Sequence, residues 1–397
     1  MTKIVAGMVA GPATRGLVGR RAVLTGLAAS AAAGIALPRA GRAAAARYTA
    51  LALQTRCDAV NQDTTRADAR ARMAATIARL RGEIATAKGF TRTFNGTDVR
   101  LVVLPEYVLT GFPFGESLAQ WRDKAAIDPD GPEYDALAAI AGDLGLYLAG
   151  NAYETDANFP ELYFQTCFII APSGRTVLRY RRLISLYTPT PYDVWDRYLE
   201  LYGLDGVFPV ARTDIGALAA IASEEILYPE VARCLAMRGA EILCHPTSEV
   251  GSPMLTQKDV AKRARAIENM AYVISANTAG IYGTSIPAES TDAMSKVIAP
   301  TGLVLAEAGE GASINANATL DLDGLRQLRG RAGMHNQLAR QPFAAYADSY
   351  ASHHHHRPNG FLDGGRTRVP ERADLIARQR AVIDRLRETG VLTPPGR

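Results

Sequence analysis

Glu106 follows the apolar run Leu101-Val-Val-Leu104 after a single proline. A carboxylate at the carboxyl end of a buried strand loses hydration of its charged form, so its pKa can rise and it can serve as a proton acceptor. Its structural reading is a loop cap or a partner for Arg182. Ser223 stands six residues before Pro229. A serine hydroxyl becomes a nucleophile only beside a well-placed base. Arg182 ends the segment Arg179-Tyr-Arg-Arg182. Its guanidinium can donate to an oxyanion or grip a carboxylate, but it stays protonated and cannot shuttle a proton. The plain reading of Arg182 is an ion pair with Glu106 or Glu224. Outside residues 353–356 the histidines are His245 and His335. His245 reads as a satisfied polar loop residue, so no Ser-His-Asp triad is built on it. Cys57, Cys167, Cys234 and Cys244 show no short metal-type or redox-type pairing, and Cys234 and Cys244 read as small buried hydrophobes.

These residues need elements to position them. From Tyr48 onward, short β-branched or apolar runs alternate with longer helical patterns, which predicts strands separated by helices in one layered α/β domain. Strands are expected over 48–53, 99–104, 147–152, 164–171, 218–222, 241–244, 272–276 and 296–299. Helices are expected over 67–87, 132–144, 231–237 and 259–269, with a turn at Pro172-Ser173-Gly174. Neither a tandem repeat nor an interdomain linker interrupts the alternation.

Several spaced blocks coincide with one family. Leu101-Val-Val-Leu-Pro-Glu106-Tyr and Arg179-Tyr-Arg-Arg182-Leu-Ile come first. Ile221-Ala-Ser223-Glu-Glu-Ile-Leu-Tyr-Pro229-Glu230 follows and runs on to Gly239-Ala-Glu241 and Pro246. Arg263-Ala-Arg-Ala-Ile-Glu268-Asn269, Ala276-Asn277-Thr-Ala-Gly280 and Ala299-Pro300-Thr-Gly302 complete the set. Residues 48–320 thus resemble the nitrilase, or carbon-nitrogen hydrolase, superfamily, and Tyr228-Pro229-Glu230 with Cys234-Leu-Ala-Met-Arg-Gly-Ala-Glu241 is most similar to its aliphatic amidase branch.

The resemblance implies a single-domain, four-layer α-β-β-α sandwich, usually assembled as a homodimer or higher homo-oligomer. It also implies covalent hydrolysis of an amide or nitrile by glutamate, lysine and cysteine, because a thiol attacks readily, a carboxylate takes its proton and a fixed cation stabilises the oxyanion. Here Glu106 keeps the glutamate position, while Arg182 and Ser223 replace lysine and cysteine. The implied roles are Glu106 as base, Ser223 as nucleophile and Arg182 as oxyanion stabiliser, with the backbone N–H near Glu224 assisting. Asp193 corresponds to a second acid of the amidase branch only across a two-residue insertion, and a turn-forming aspartate is its ordinary reading. Tyr107, Trp195 and Tyr228 are candidate pocket walls, with packing as the alternative. The second functional class is an inactive exported binding or scaffold protein that retains the pocket, with Arg182 anchoring an acidic or amide-bearing ligand. No cofactor and no metal is expected.

Bulk properties agree with a globular chain, since 397 residues at 48% hydrophobic suffice for a substantial core. The net charge of +4 arises from Lys3, Arg15, Arg20, Arg21, Arg39 and Arg42, without which the rest is at −2. A near-neutral body offers no electrostatic case for nucleic acid. Gly19-Arg20-Arg21-Ala22-Val23-Leu24 leads into an alanine-rich apolar run ending at Ala46, similar to a twin-arginine signal peptide with a mature start near Arg47. Such a signal implies export, to a periplasmic or extracellular location, with no membrane attachment after cleavage. Residues 346–397 read as a C-terminal extension in which 353–356 form an exposed loop and Pro370 precedes a surface or dimer-contact helix over 373–386.

Overall fold

The computed structural model describes residues 47–396 apart from Pro253 and Asn315. The expected signal segment, 1–46, lies outside the described residues. Two six-stranded mixed sheets dominate. In the first, the order is Asn317–Asp321, Arg47–Ala52, Val99–Val103, Tyr147–Thr155, Tyr163–Ile170 and Thr176–Arg181. In the second it is Val304–Glu307, Lys296–Ile298, Tyr272–Ala276, Ile242–Pro246, Gly216–Ala220 and Ala211–Thr213.

The period-2 alternation of side chains explains the layering. Tyr48, Ala50 and Ala52 join Leu101, Val103 and Ala149 in a core shared with Leu218, Ala220, Ile242 and Cys244 of the other sheet. The intervening Leu51, Val102 and Leu148 face the opposite way, against Met73, Ile77, Leu80 and Ile84 of the helix Arg66–Asn95 and Leu137 and Ile140 of Pro132–Leu144. Ala232 and Leu235 of Pro229–Met237 and Ala266 of Gln257–Asn269 cover the second sheet. The result is helix, sheet, sheet, helix, with both faces of the central strands buried, and for that reason those strands read as continuous apolar runs in the sequence.

Differences from the expected elements have physical causes. The first helix continues past residue 87 to Asn95; Thr91 is the one buried residue beyond Ala87, so the apolar period that marks the helix in the sequence fades before the helix ends. It closes at Gly96, whose φ of 68° supplies the left-handed cap. The strand Thr176–Arg181 and the strand Val304–Glu307 lie at sheet edges, where half-burial weakens the pattern. The strand expected to run through Ala222 ends at Ala220. The C-terminal helix spans Arg372–Glu388 and buries Leu375 beside Phe361, Phe159, Phe164 and Tyr198 of its own chain.

The site residues come together at one end of both sheets. Val99–Val103 runs parallel to Tyr147–Thr155, and Thr176–Arg181, two antiparallel steps further on, points the same way. Gly216–Ala220 and Ile242–Pro246 are likewise parallel. The segments beginning at Leu104, Arg182, Ile221 and Thr247 therefore leave the carboxyl ends of their strands, where α/β sheets open into crevices. Glu106 N–H donates to Thr247 O at 3.2 Å and links the two sheets there.

Candidate active site

Glu106, Arg182 and Ser223 are all buried, at 1%, 6% and 3% exposure, and all three line one cavity of about 260 Å³. Glu106 Oε1 accepts from Gln165 Nε2 at 2.6 Å and from Arg182 Nη1 at 3.4 Å. Arg182 Nη1 also donates to Gln165 Oε1 at 2.8 Å. The Gln165 amide is thereby fixed in one orientation, nitrogen toward the carboxylate and oxygen toward the guanidinium. Arg182 Nε donates to Ile184 O at 2.7 Å, and Nη2 pairs with Glu224 at 3.0 Å. Of the five guanidinium hydrogens, these partners leave one N–H on Nη2 uncommitted among the described residues.

Burial pushes the Glu106 carboxyl above its ordinary value, against the opposing pull of Arg182, Lys258, Ser223 and Gln165. Burial acts to lower Arg182, yet the surrounding Tyr107, Glu106, Glu224 and Glu225 hold it above its usual range, so it is a permanent cation. The pair thus combines a carboxylate inclined to take a proton with a charge that never leaves.

Ser223 opens a short 3-10 turn, Ser223–Leu227, with φ at 44°. A left-handed conformation at a non-glycine residue costs roughly 1–3 kcal/mol and persists only where its surroundings enforce it. Two fastenings do so here. His245 Nε2 donates to Ser223 O at 2.8 Å, and Ser275 hydroxyl lies 2.9 Å from Nδ1. Glu225, fully buried, accepts from Leu183 N, Ile184 N, Tyr180 OH and Ala222 N at 2.8 to 3.3 Å, tying the Arg182 segment to the turn. Burial pushes its carboxyl up to about 7 despite those donors. Glu225→Ala strands these buried donors and is expected to cost about 3 kcal/mol or more, measured as a lowered urea midpoint. An unchanged midpoint would show that the turn does not depend on it.

His245 lies within a strand, rather than the expected loop, and burial depresses its pKa to about 3. Its Nε2 is spent on a carbonyl. It is a structural clamp beneath the serine. Cys57 and Cys244 are buried with thiols pushed up to about 12 by desolvation, so neither supplies a thiolate. Among the described residues no group of three or more His, Cys, Asp or Glu is placed to hold a metal.

Of the other expected site residues, Glu224 and Tyr107 line the cavity. Tyr107 stacks on Tyr153 with centroids 6.0 Å apart, and with Phe112, Ile281 and Ile286 makes the apolar wall. Asp193, Trp195 and Tyr228 do not line this cavity. Asp193 accepts from Thr190 N and Oγ1, each at 2.8 Å, and pairs with Arg378 of the C-terminal helix. Trp195 packs beside Val194 and Tyr198 in a separate cluster, and Tyr228 is 39% exposed at the start of Pro229–Met237.

The sequence pattern did not single out Gln165, Thr247, Glu249 or Lys258. Lys258 Nζ donates to Ser223 Oγ at 3.2 Å and to Ser248 O at 3.4 Å. Thr247 Oγ1 lies 3.4 Å from Ser223 Oγ and donates to Glu249 Oε1 at 3.1 Å. Glu249 is held below its usual value, because the pull of Lys262 and Lys258 outweighs its own burial. The only available signal for Lys258 was its position one residue before the expected helix.

The comparisons with known proteins agree with this architecture. The family profile described as carbon-nitrogen hydrolase matches residues 39–330. A bifunctional nitrilase/nitrile hydratase of Lupinus angustifolius is 32% identical over 195 residues, 45% of this chain and 51% of that protein. Omega-amidase NIT2 of Xenopus tropicalis is 25% identical over 231 residues, 58% of this chain and 79% of that one. Among solved structures, Saccharomyces cerevisiae Nit3, a member of branch 10 of the nitrilase superfamily, superposes with a TM-score of 0.56 at 20% identity, over 74% of this chain and 97% of its own.

Proposed function

The chain belongs to the carbon-nitrogen hydrolase family, and from that membership we propose that it hydrolyses the carbon-nitrogen bond of a small amide or nitrile through an acyl intermediate on Ser223. The observation that carries the reading is the convergence of a hydroxyl in a strained elbow, a buried carboxylate and a fixed cation on one small cavity. For an amide, Glu106 takes the Ser223 proton as Oγ bonds to the carbonyl carbon and the π pair moves onto oxygen. Glu106 then returns the proton to the leaving nitrogen as the carbon-nitrogen bond breaks. Water, deprotonated by the same carboxylate, hydrolyses the ester and restores the serine.

Arg182 supports the reaction in two ways. It holds Glu106 and Gln165 in place, and its uncommitted N–H and permanent charge are available to the oxyanion. The cavity volume favours a substrate of few heavy atoms, with its apolar part against Tyr107, Phe112 and Ile281. The Arg20-Arg21 pattern supports an exported location for this activity.

Ammonia release from short-chain amides and nitriles, followed from pH 4 to 9, tests the reading. Glu106 must be ionised to act, and burial raises its pKa. Turnover should therefore fall on the acid side with a midpoint above the roughly 4.3 of a free glutamate. Lack of ammonia from every compound, or a rate independent of pH below neutrality, would contradict the proposal.

A further inference from the structure

We propose that Lys258 is a catalytic residue of this site, its ammonium donating to Ser223 Oγ and stabilising the negative charge that forms there as the proton departs. This rests on the reading of Ser223 as nucleophile. Three observations converge on it. The first is contact with the reacting atom, since Nζ lies 3.2 Å from Ser223 Oγ.

The second is how charge is distributed around it. Lys262 is consumed by Glu249 at 2.6 Å and Asp259 at 3.5 Å, and Lys296 by Asp259 at 2.7 Å and Glu307 at 3.1 Å. Lys258 has no carboxylate at ion-pair distance among the described residues; its partners are the neutral oxygens Ser223 Oγ and Ser248 O. Glu249, which also lines the cavity, is pinned through Oε1 by Lys262 and Thr247 and makes no ion pair with Lys258 among the described residues. The third is its place in the first turn of the helix Gln257–Asn269, capped by Thr256. A cation there opposes the helix dipole, a cost that the bonds to Ser223 Oγ and Ser248 O offset.

The two cations therefore divide the work. Arg182 is engaged with Glu106, Gln165, Glu224 and a backbone carbonyl and makes no hydrogen bond to Ser223 Oγ among the described residues. A serine needs more help than a thiol to lose its proton, and Lys258 gives it at the oxygen itself. In the step, the proton passes from Oγ to a Glu106 oxygen, the Oγ–carbon bond forms, the carbonyl π pair moves to oxygen, and Lys258 stays protonated throughout.

The test compares wild type, Lys258→Met, Lys258→Arg and Ser223→Ala in two assays, ammonia release and the rate at which a small fluorophosphonate labels Ser223, read by peptide mass. Lys258→Met should lower kcat and the labelling rate by about 10²-fold, with KM within a few-fold of wild type. Lys258→Arg should recover part of both. Lys258→Gln gives the same comparison if the methionine variant does not fold. Wild-type values in Lys258→Met or Lys258→Gln, with both signals absent from Ser223→Ala, would overturn the role of Lys258 while leaving Ser223 as nucleophile. Neither turnover nor labelling in wild type would overturn the nucleophile and Lys258 together.

Discussion

Ser223→Ala is expected to lower ammonia release by about 10⁴-fold or more, with little change in stability. Removing a nucleophile eliminates the covalent route altogether, and what survives is the positioning and electrostatic help given to water, which elsewhere leaves only a small residue of catalysis. The hydroxyl contributes little to folding here. Its contacts are Lys258 at 3.2 Å and Thr247 at 3.4 Å, whereas the backbone carbonyl, which alanine keeps, receives the shorter bond from His245. Steady-state ammonia assays beside a urea melt separate the two effects. Ser223→Ala retaining more than about a tenth of the activity would place the attacking group elsewhere.

Glu106→Gln is the second large effect, a loss of about 10³-fold expected from removing a general base. The amide matches the carboxylate in size, so the cavity keeps its shape, but it cannot accept the serine proton. Leaving a buried arginine without its partner commonly costs about 3–5 kcal/mol. Arg182 escapes most of that, because Glu224 at 3.0 Å, Gln165 at 2.8 Å and the Ile184 carbonyl at 2.7 Å remain. The loss should therefore fall on kcat, measured with any amide that wild type turns over. Equal kcat values for the two proteins would mean that Glu106 serves only to hold Arg182.

Much of the scaffold was legible because its signals are local. Strands buried on both faces read as apolar runs, and the Leu101–Glu106 segment announces a strand end. Edge strands such as Thr176–Arg181 were obscured by half-burial. The site was legible only where a residue's role depends on its own segment. Gln165 sits in Tyr163-Phe-Gln-Thr-Cys-Phe168 as one polar residue among apolar ones. Only the register that sets Thr166 opposite Arg181 shows that its amide bridges Glu106 and Arg182.

Asp193 and Lys258 mark the limit in opposite directions. Asp193 matches the second acid of the amidase branch only across a two-residue insertion, but its partner is Arg378, far along the chain on the C-terminal helix, and that contact leaves no trace in the local pattern. Lys258 stands one residue ahead of the expected helix and carries no local signal. It reaches the serine because the segment after Ile242–Pro246 returns the start of the helix Gln257–Asn269 to the elbow, a tertiary path that spacing does not encode.

The central claim is that Ser223 carries the acyl group, and acid-quenched mass spectrometry during turnover tests it most directly. With a short-chain amide and Glu106 intact, the account predicts a mass increase equal to the acyl group minus one hydrogen, mapped to Ser223 and absent from Ser223→Ala. Ammonia release with no adduct at any quench time, or with the adduct on a cysteine, would contradict it.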